Sequence, residues 1–213
     1  MKEGTKKIIF VCTGNTCRSP MAEALFRSEM KRLRLSEVEV SSAGLAVAKG
    51  DGLNPYSAVT LAQNGLALEN FQSRQLTIET LEDAYAVVCM TEKQRLAIVE
   101  SSACASEKIC KKIHSFYTLV GYEIPDPYGR DLDCYRFVFE RLSSGLGKLC
   151  VGLKLLEEKQ EKKEKEGESK NETVPKKRGR PRKNPSTAEK SGDEPPKKRG
   201  RPKKIDTPNG AKQ

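Results

Sequence analysis

Short continuous apolar runs alternate with longer stretches in which apolar residues return every three or four positions, and this alternation predicts strands and helices in turn. The first run, Ile8-Ile9-Phe10-Val11, has strand length and is followed by small and polar residues from Cys12 to Ser19. Pro20 to about Leu35 reads as an amphipathic helix, with Met21, Ala24, Leu25 and Ser28 inward and Arg27, Lys31 and Arg32 outward. Val38 to Ser41 alternates like a strand and stops at the break Ser42-Ala43-Gly44. Asn54-Pro55 opens a helix to about Gln63, closed by Asn64-Gly65, and Thr77 to Thr80 opens a short one. Ala84 to Met90 is apolar throughout, as a buried parallel strand should be, and Thr91 to Gln94 caps a helix running to about Ser101. Lys108 to Phe116 is a poorer strand. Asp131 to about Glu157 forms the closing helix, buried through Cys134, Phe137, Val138, Arg141, Leu142, Leu149, Val151, Leu153 and Leu156, with a soft spot at Ser144-Gly145-Leu146-Gly147. Strands alternating with helices predict an α/β fold: a four-stranded parallel, doubly wound sheet with helices on both faces, and a ligand site at the strands' C-terminal edge.

Composition divides the chain. Residues 158–213 hold 19 Lys and Arg against 10 Asp and Glu, net +9, whereas residues 1–157 hold 20 against 19, net +1. The basic character therefore belongs to a tail that is nearly free of apolar residues and is expected to be disordered, behind a folded domain of residues 1–157. One phrase occurs in it twice, at residues 175–183 and 196–204. Both copies resemble AT-hooks, whose extended Arg-Gly-Arg-Pro core enters the narrow minor groove of A·T-rich DNA. Arg178, Gly179, Arg180 and Pro181, and again Arg199, Gly200, Arg201 and Pro202, match that core. The glycine lets the backbone approach the groove floor, and the arginines meet its concentrated negative potential. A plain basic tail is the competing reading. All seven cysteines precede residue 151 without a regular framework or a Cys-x-x-Cys pair, which favours reduced thiols and a cytoplasmic protein, held at nucleoid or nuclear DNA by its tail. The apolar run after Lys6-Lys7 is too short for a signal peptide, and no segment suits a membrane span.

The candidate chemistry lies behind the first strand, in Cys12-Thr13-Gly14-Asn15-Thr16-Cys17-Arg18-Ser19-Pro20. Small and polar residues let the backbone curl into a nest, so that successive N–H groups and a helix N-terminus converge on one oxyanion. Such a positive pocket favours a thiolate at Cys12, and Arg18 can grip two oxygens of the same anion. The segment resembles the signature of the low-molecular-weight protein tyrosine phosphatase family, and with Thr16 before Cys17 it is most similar to the bacterial protein-arginine phosphatase branch.

That resemblance implies a protein phosphatase that needs no metal or cofactor, with a catalytic domain expected to be monomeric and a phosphorylated protein as partner. Cys12 would be the nucleophile, Arg18 the phosphate ligand and Asp126, in Ile124-Pro125-Asp126-Pro127-Tyr128-Gly129, the general acid. Thr13, Gly14, Asn15, Thr16, Cys17 and Ser19 would contact substrate, Tyr128 would line the entrance, and Ser42 would hold Asn15 in a left-handed conformation. Ser19 would donate to the Cys12 sulfur. Cys17 is either a redox partner of Cys12 or a packing residue. Phe71 stands where many relatives carry a histidine, which leaves the network behind the loop short of a partner. His114, the chain's single histidine, has no expected role. Three other readings compete: a phosphotyrosine phosphatase, an arsenate reductase, and a scaffold that only tethers to DNA. The reductase needs a cysteine pair beyond Cys89, and Leu96 stands there; the scaffold has no use for Cys12, Arg18 and Asp126 together.

Overall fold

The computed structural model describes residues 4–101 and 106–155. Four strands, β1 (Lys6–Cys12), β2 (Val38–Gly44), β3 (Ala86–Cys89) and β4 (Ile113–Ser115), form one parallel sheet in the order β2-β1-β3-β4. Alternate residues of β1 face opposite ways. Ile8, Phe10 and Cys12 join a core with α1 (Arg18–Leu33), α2 (Pro55–Gln63), α6 (Phe116–Val120) and α7 (Leu132–Gly152). Ile9 and Val11 face α3 (Ile78–Asp83), α4 (Glu92–Val99) and α5 (Glu107–Cys110) through Leu81, Ile98 and Ile109. Helices thus cover both faces, which is why β3 and residues Ile8 to Cys12 of β1 are apolar and buried. Phe10 packs edge-on against Phe26 of α1 at 5.3 Å, and both rings are buried, each contributing about 2–3 kcal/mol of transfer free energy.

Several expectations need correction. The first helix begins at Arg18, two residues early, because the loop winds directly into it with Cys17 as a cap that lends no side-chain hydrogen bond. It ends at Leu33 with left-handed Arg34, and Ser28 is exposed. β2 does not break at Ser42 but pairs through Gly44 with Cys12, since the β1 ladder outlasts the apolar alternation. Lys108 to Cys110 is a helical turn capped by Ser106, so β4 is only three residues long. A Ser115/Thr118 capping box then turns Phe116 into α6.

In α7 the buried stripe is Tyr135, Val138, Phe139, Leu142, Gly145, Leu149 and Cys150. Phe137 and Val151 are exposed, and Cys134 and Arg141 are half-buried, because the stripe's phase is set by Tyr135 and Phe139. The guanidinium of Arg141 lies 4.2 Å from the Tyr122 ring and 5.7 Å from that of Phe137. Ser144 to Gly147 is no soft spot: the helix runs through it, and a Cβ at Gly145 would stand 2.7 Å from the Phe116 ring. Leu156, Glu157 and the whole basic tail, including Arg178, Gly179, Arg180, Pro181, Arg199, Gly200, Arg201 and Pro202, lie outside the described residues. Cys12, Cys17, Cys89, Cys134 and Cys150 are free thiols, whereas Cys110 is disulfide-bonded, contrary to the expectation of reduced thiols throughout. Among the described residues no helix is long and apolar enough to cross a membrane.

Candidate active site

The loop between β1 and α1 owes its shape to partners that take its carbonyls outward. Cys12 O accepts from Leu45 N (3.0 Å), Thr13 O from Ala46 N (2.9 Å), Asn15 O from Ser73 Oγ (2.8 Å) and Thr16 O from Asn54 N (2.9 Å). In a trans peptide the carbonyl and the next N–H point oppositely, so the amides of Thr13, Gly14, Thr16 and Cys17 turn inward. α1 adds the free N–H groups of its first turn, which has no acidic residue. Its 16 residues align their dipoles on the same spot.

Asn15 carries the fold of the loop. Its φ of 55° is left-handed, and its fully buried amide bridges three elements. Nδ2 donates to Ser19 Oγ and Ser42 Oγ, both at 2.9 Å, and Oδ1 accepts from Arg74 N at 2.8 Å. Ser42 Oγ donates to Glu23 Oε2 at 2.6 Å, and Glu23, 2 % exposed, is also paired with Arg27 and Arg74. Phe71 therefore leaves no deficit: Glu23, Ser73 and Arg74 complete the network. On the other side Gln94 Nε2 donates to Thr13 Oγ1 at 3.1 Å, while its Oε1 accepts from Thr91 N at the start of α4.

Cys12 Sγ lies 3.0 Å from Ser19 Oγ. Because Ser19 already accepts from Asn15, its hydroxyl proton is available to the sulfur, with Ala43 O the longer alternative at 3.3 Å. Arg18 is buried. Its Nη2 meets Asp126 Oδ2 at 2.5 Å, its Nη1 donates to Ile124 O at 3.4 Å, and its buried Nε has no hydrogen-bond partner among the described residues. Asp126 Oδ1 accepts from Tyr128 N at 3.2 Å.

These groups surround a cavity of about 280 Å³ lined by Cys12, Thr13, Gly14, Thr16, Cys17, Arg18, Asp126 and Tyr128, with Ala46, Ala48 and Asp51 forming its remaining wall. The other expected contacts, Asn15 and Ser19, are buried behind the loop and support it from there, and Ser42 holds Asn15 as expected. Cys17 Sγ is 3.4 Å from Thr16 Oγ1 and 3.5 Å from Tyr135 Oη. Burial, then that bond to Cys17, push the Tyr135 phenol upward, so it stays protonated beside the sulfur. His114 sits half-buried on β4, away from the cavity lining. Burial pushes the Cys89 thiol up to about 12, which makes it an inert core residue.

Sequence reasoning missed Glu23, Ser73, Arg74, Gln94 and Asp51. Only Glu23 left a signal, a charge between the apolar pairs Met21-Ala22 and Ala24-Leu25. A larger groove of about 660 Å³ behind the loop, lined among others by Glu23, Phe71 and Arg74, has no cysteine, serine or threonine in its lining.

A thiol, a guanidinium and a carboxylate around one amide nest make a site for transferring a phosphoryl-like group. Comparison with known proteins agrees. Residues 7–164 match the profile of the low molecular weight phosphotyrosine protein phosphatase family, and residues 175–187 and 196–208 match the AT hook motif. A protein-arginine-phosphatase of Bacillus subtilis is 37% identical over 147 residues, 69% of this chain and 96% of the relative. The low molecular weight protein-tyrosine-phosphatase Wzb of Salmonella typhi is 35% identical over 141 residues, 64% of this chain and 86% of the relative. The structure of the YwlE arginine phosphatase from Geobacillus stearothermophilus superposes with a TM-score of 0.63 at 32% identity, covering 73% of this chain and 96% of that one. A cysteine-based phosphatase fold with two AT-hook segments behind it thus places the chain in the low molecular weight phosphotyrosine protein phosphatase family.

Proposed function

We propose that the enzyme hydrolyses phosphoarginine in proteins through a phosphocysteine on Cys12, and that its two hook segments hold it at A·T-rich duplex DNA. In the first step the Cys12 thiolate attacks phosphorus, a P–S bond forms and the P–N bond breaks. Asp126 gives its proton to the departing guanidino nitrogen. The inward amides of the loop and Arg18 stabilise the charge spreading over the equatorial oxygens. Asp126, now a carboxylate, then takes a proton from water as its oxygen attacks phosphorus. The P–S bond breaks, inorganic phosphate leaves, and the sulfur regains the Ser19 hydrogen bond.

The observation that carries the reading is the meeting of Cys12, Arg18 and Asp126 in one cavity, with Arg18 Nη2 2.5 Å from Asp126. Thr16 favours phosphoarginine: its short polar side chain lines the cavity, where a larger apolar residue would press on a planar guanidinium. The tyrosine-directed reading has its own observation, the Tyr128 ring, 73% exposed at the rim, where an aryl substrate would find a stacking surface.

The deciding experiment compares kcat/KM on phosphoarginine and phosphotyrosine peptides for wild type and Thr16→Ile, with Cys12→Ser and Asp126→Asn as mechanistic controls. Wild type prefers phosphoarginine, and Thr16→Ile shifts the ratio toward phosphotyrosine. Cys12→Ser is inactive, and Asp126→Asn loses roughly 10²–10⁴-fold. Equal or better phosphotyrosine turnover by wild type rejects the substrate assignment. Near-normal activity in either control rejects the mechanism.

A further inference from the structure

Asp51 is a carboxylate in the wall of a phosphate-binding cavity. Its side chain has no hydrogen-bond or ion-pair partner among the described residues, whereas its backbone is held at both ends, N to Ala48 O at 3.2 Å and O from Ser73 N at 2.9 Å. Gln75 fastens the same wall through Val47 N (3.0 Å) and Leu45 O (2.8 Å). Because Ser73 and Arg74 also hold Asn15, the carboxylate is placed at a set position relative to the nucleophile's loop.

A second negative charge in this cavity repels a phosphate dianion. Asp126 has Arg18 as its ion-pair partner and the general acid–base role proposed above; Asp51 has no such role and no ion-pair partner among the described residues. The charge is favourable only if the group next to phosphorus is cationic. The guanidinium of phosphoarginine is such a group, and its remaining N–H donors form the fork that a carboxylate accepts. The phenyl ring of phosphotyrosine is neutral.

We infer that Asp51 is a specificity-determining residue, pairing with the guanidinium of the phosphoarginine side chain and disfavouring aryl phosphates. This rests on the substrate reading above. The test measures kcat/KM at low salt for wild type, Asp51→Asn and Asp51→Glu on three substrates: a capped phosphoarginine without neighbours, p-nitrophenyl phosphate, and a phosphotyrosine peptide flanked by arginines. Asp51→Asn should lose roughly threefold to fivefold on capped phosphoarginine, mainly through KM, the scale of a solvent-exposed ion pair. It should gain on p-nitrophenyl phosphate, because a repulsive charge is gone. Added salt should shrink both effects, and Asp51→Glu should recover most of the phosphoarginine activity. Parallel losses on both small substrates, or no loss on phosphoarginine, overturn the inference while leaving the substrate reading intact. A loss confined to the arginine-flanked peptide also overturns it, since the carboxylate would then read neighbouring residues. If wild type fails on capped phosphoarginine altogether, the substrate reading falls and the inference with it.

Discussion

Gly44→Ala should damage catalysis from outside the cavity. Gly44 ends β2 against the back of the loop, and a Cβ there would lie 2.7 Å from Thr13 O, 2.6 Å from Val47 Cγ2 and 3.0 Å from Asn15 Cβ. The Val47 methyl can turn away. Thr13 O cannot, because it accepts from Ala46 N and belongs to the nest itself. Restoring an ordinary carbon–oxygen contact needs a shift of about 0.5 Å in the loop backbone. Overpacking of this kind costs about 1–3 kcal/mol. In a domain of this size that lowers Tm by roughly 3–10 °C. If a 1 Å misplacement costs on the order of 10²-fold in rate, half that shift costs about tenfold in kcat. Thermal denaturation and steady-state turnover of p-nitrophenyl phosphate measure the two effects. Gly145→Ala is the matched control: its Cβ meets the Phe116 ring at 2.7 Å and Tyr122 Oη at 3.2 Å, none of which lines the cavity. It should lower Tm while keeping kcat within about twofold. Unchanged turnover in Gly44→Ala, or an equal loss in Gly145→Ala, would refute the reasoning.

Glu23→Gln keeps the shape but removes the buried anion that Ser42, Arg27 and Arg74 share; chemical denaturation should show a loss of about 2 kcal/mol, and turnover should fall as Asn15 loosens. Burial, then the nearby Arg95 charge, hold His114 below its ordinary 6.5, so the unfolded chain takes up this proton first. Its contribution is intact above about pH 6.5 and is lost as pH falls toward the depressed folded value; His114→Gln should flatten that limb of the Tm profile between pH 7 and 5. Arg180→Ala with Arg201→Ala should abolish the preference for A·T-rich over G·C-rich duplex in gel-shift titrations, while turnover of p-nitrophenyl phosphate is unaffected. Wild-type binding should weaken steeply with salt.

The parts of the site legible in the sequence are those encoded locally. The strand, loop and helix around Cys12 and Arg18 occupy one stretch, and Asp126 stands between two prolines that mark its turn. The support behind the loop also joins Asn15 to Ser73 and Arg74, 58 and 59 positions away, and no local pattern announces that meeting, whereas the bond to Ser42 is the one the family resemblance implies. Phe71 is no guide to this network, because Glu23 and Arg74 reach it from other parts of the chain. The sheet was readable from its apolar runs. α5 and α6 were not, because each is a single short capped turn set by Ser106 and Ser115. In the closing helix the expected Val138, Leu142, Leu149 and Leu153 are buried, but counting large apolar residues also takes in Phe137, which stays at the surface near Arg141, and misses Gly145, which is buried for having no side chain.

The outward-turned carbonyls of the loop carry a thermodynamic consequence. Since the amides are oriented by Leu45, Ala46, Asn54 and Ser73 before any anion arrives, the ordering that anion capture requires is completed during folding. Affinity for a tetrahedral oxyanion is then a property of the resting protein, and the leaving product shares it with the substrate. Inorganic phosphate and its mimics should therefore act as competitive inhibitors and as stabilisers at once, raising the unfolding free energy by about 2.7 kcal/mol at a hundred times their dissociation constant. Turnover in a phosphate-rich medium is accordingly throttled by the same contacts that protect the enzyme from heat.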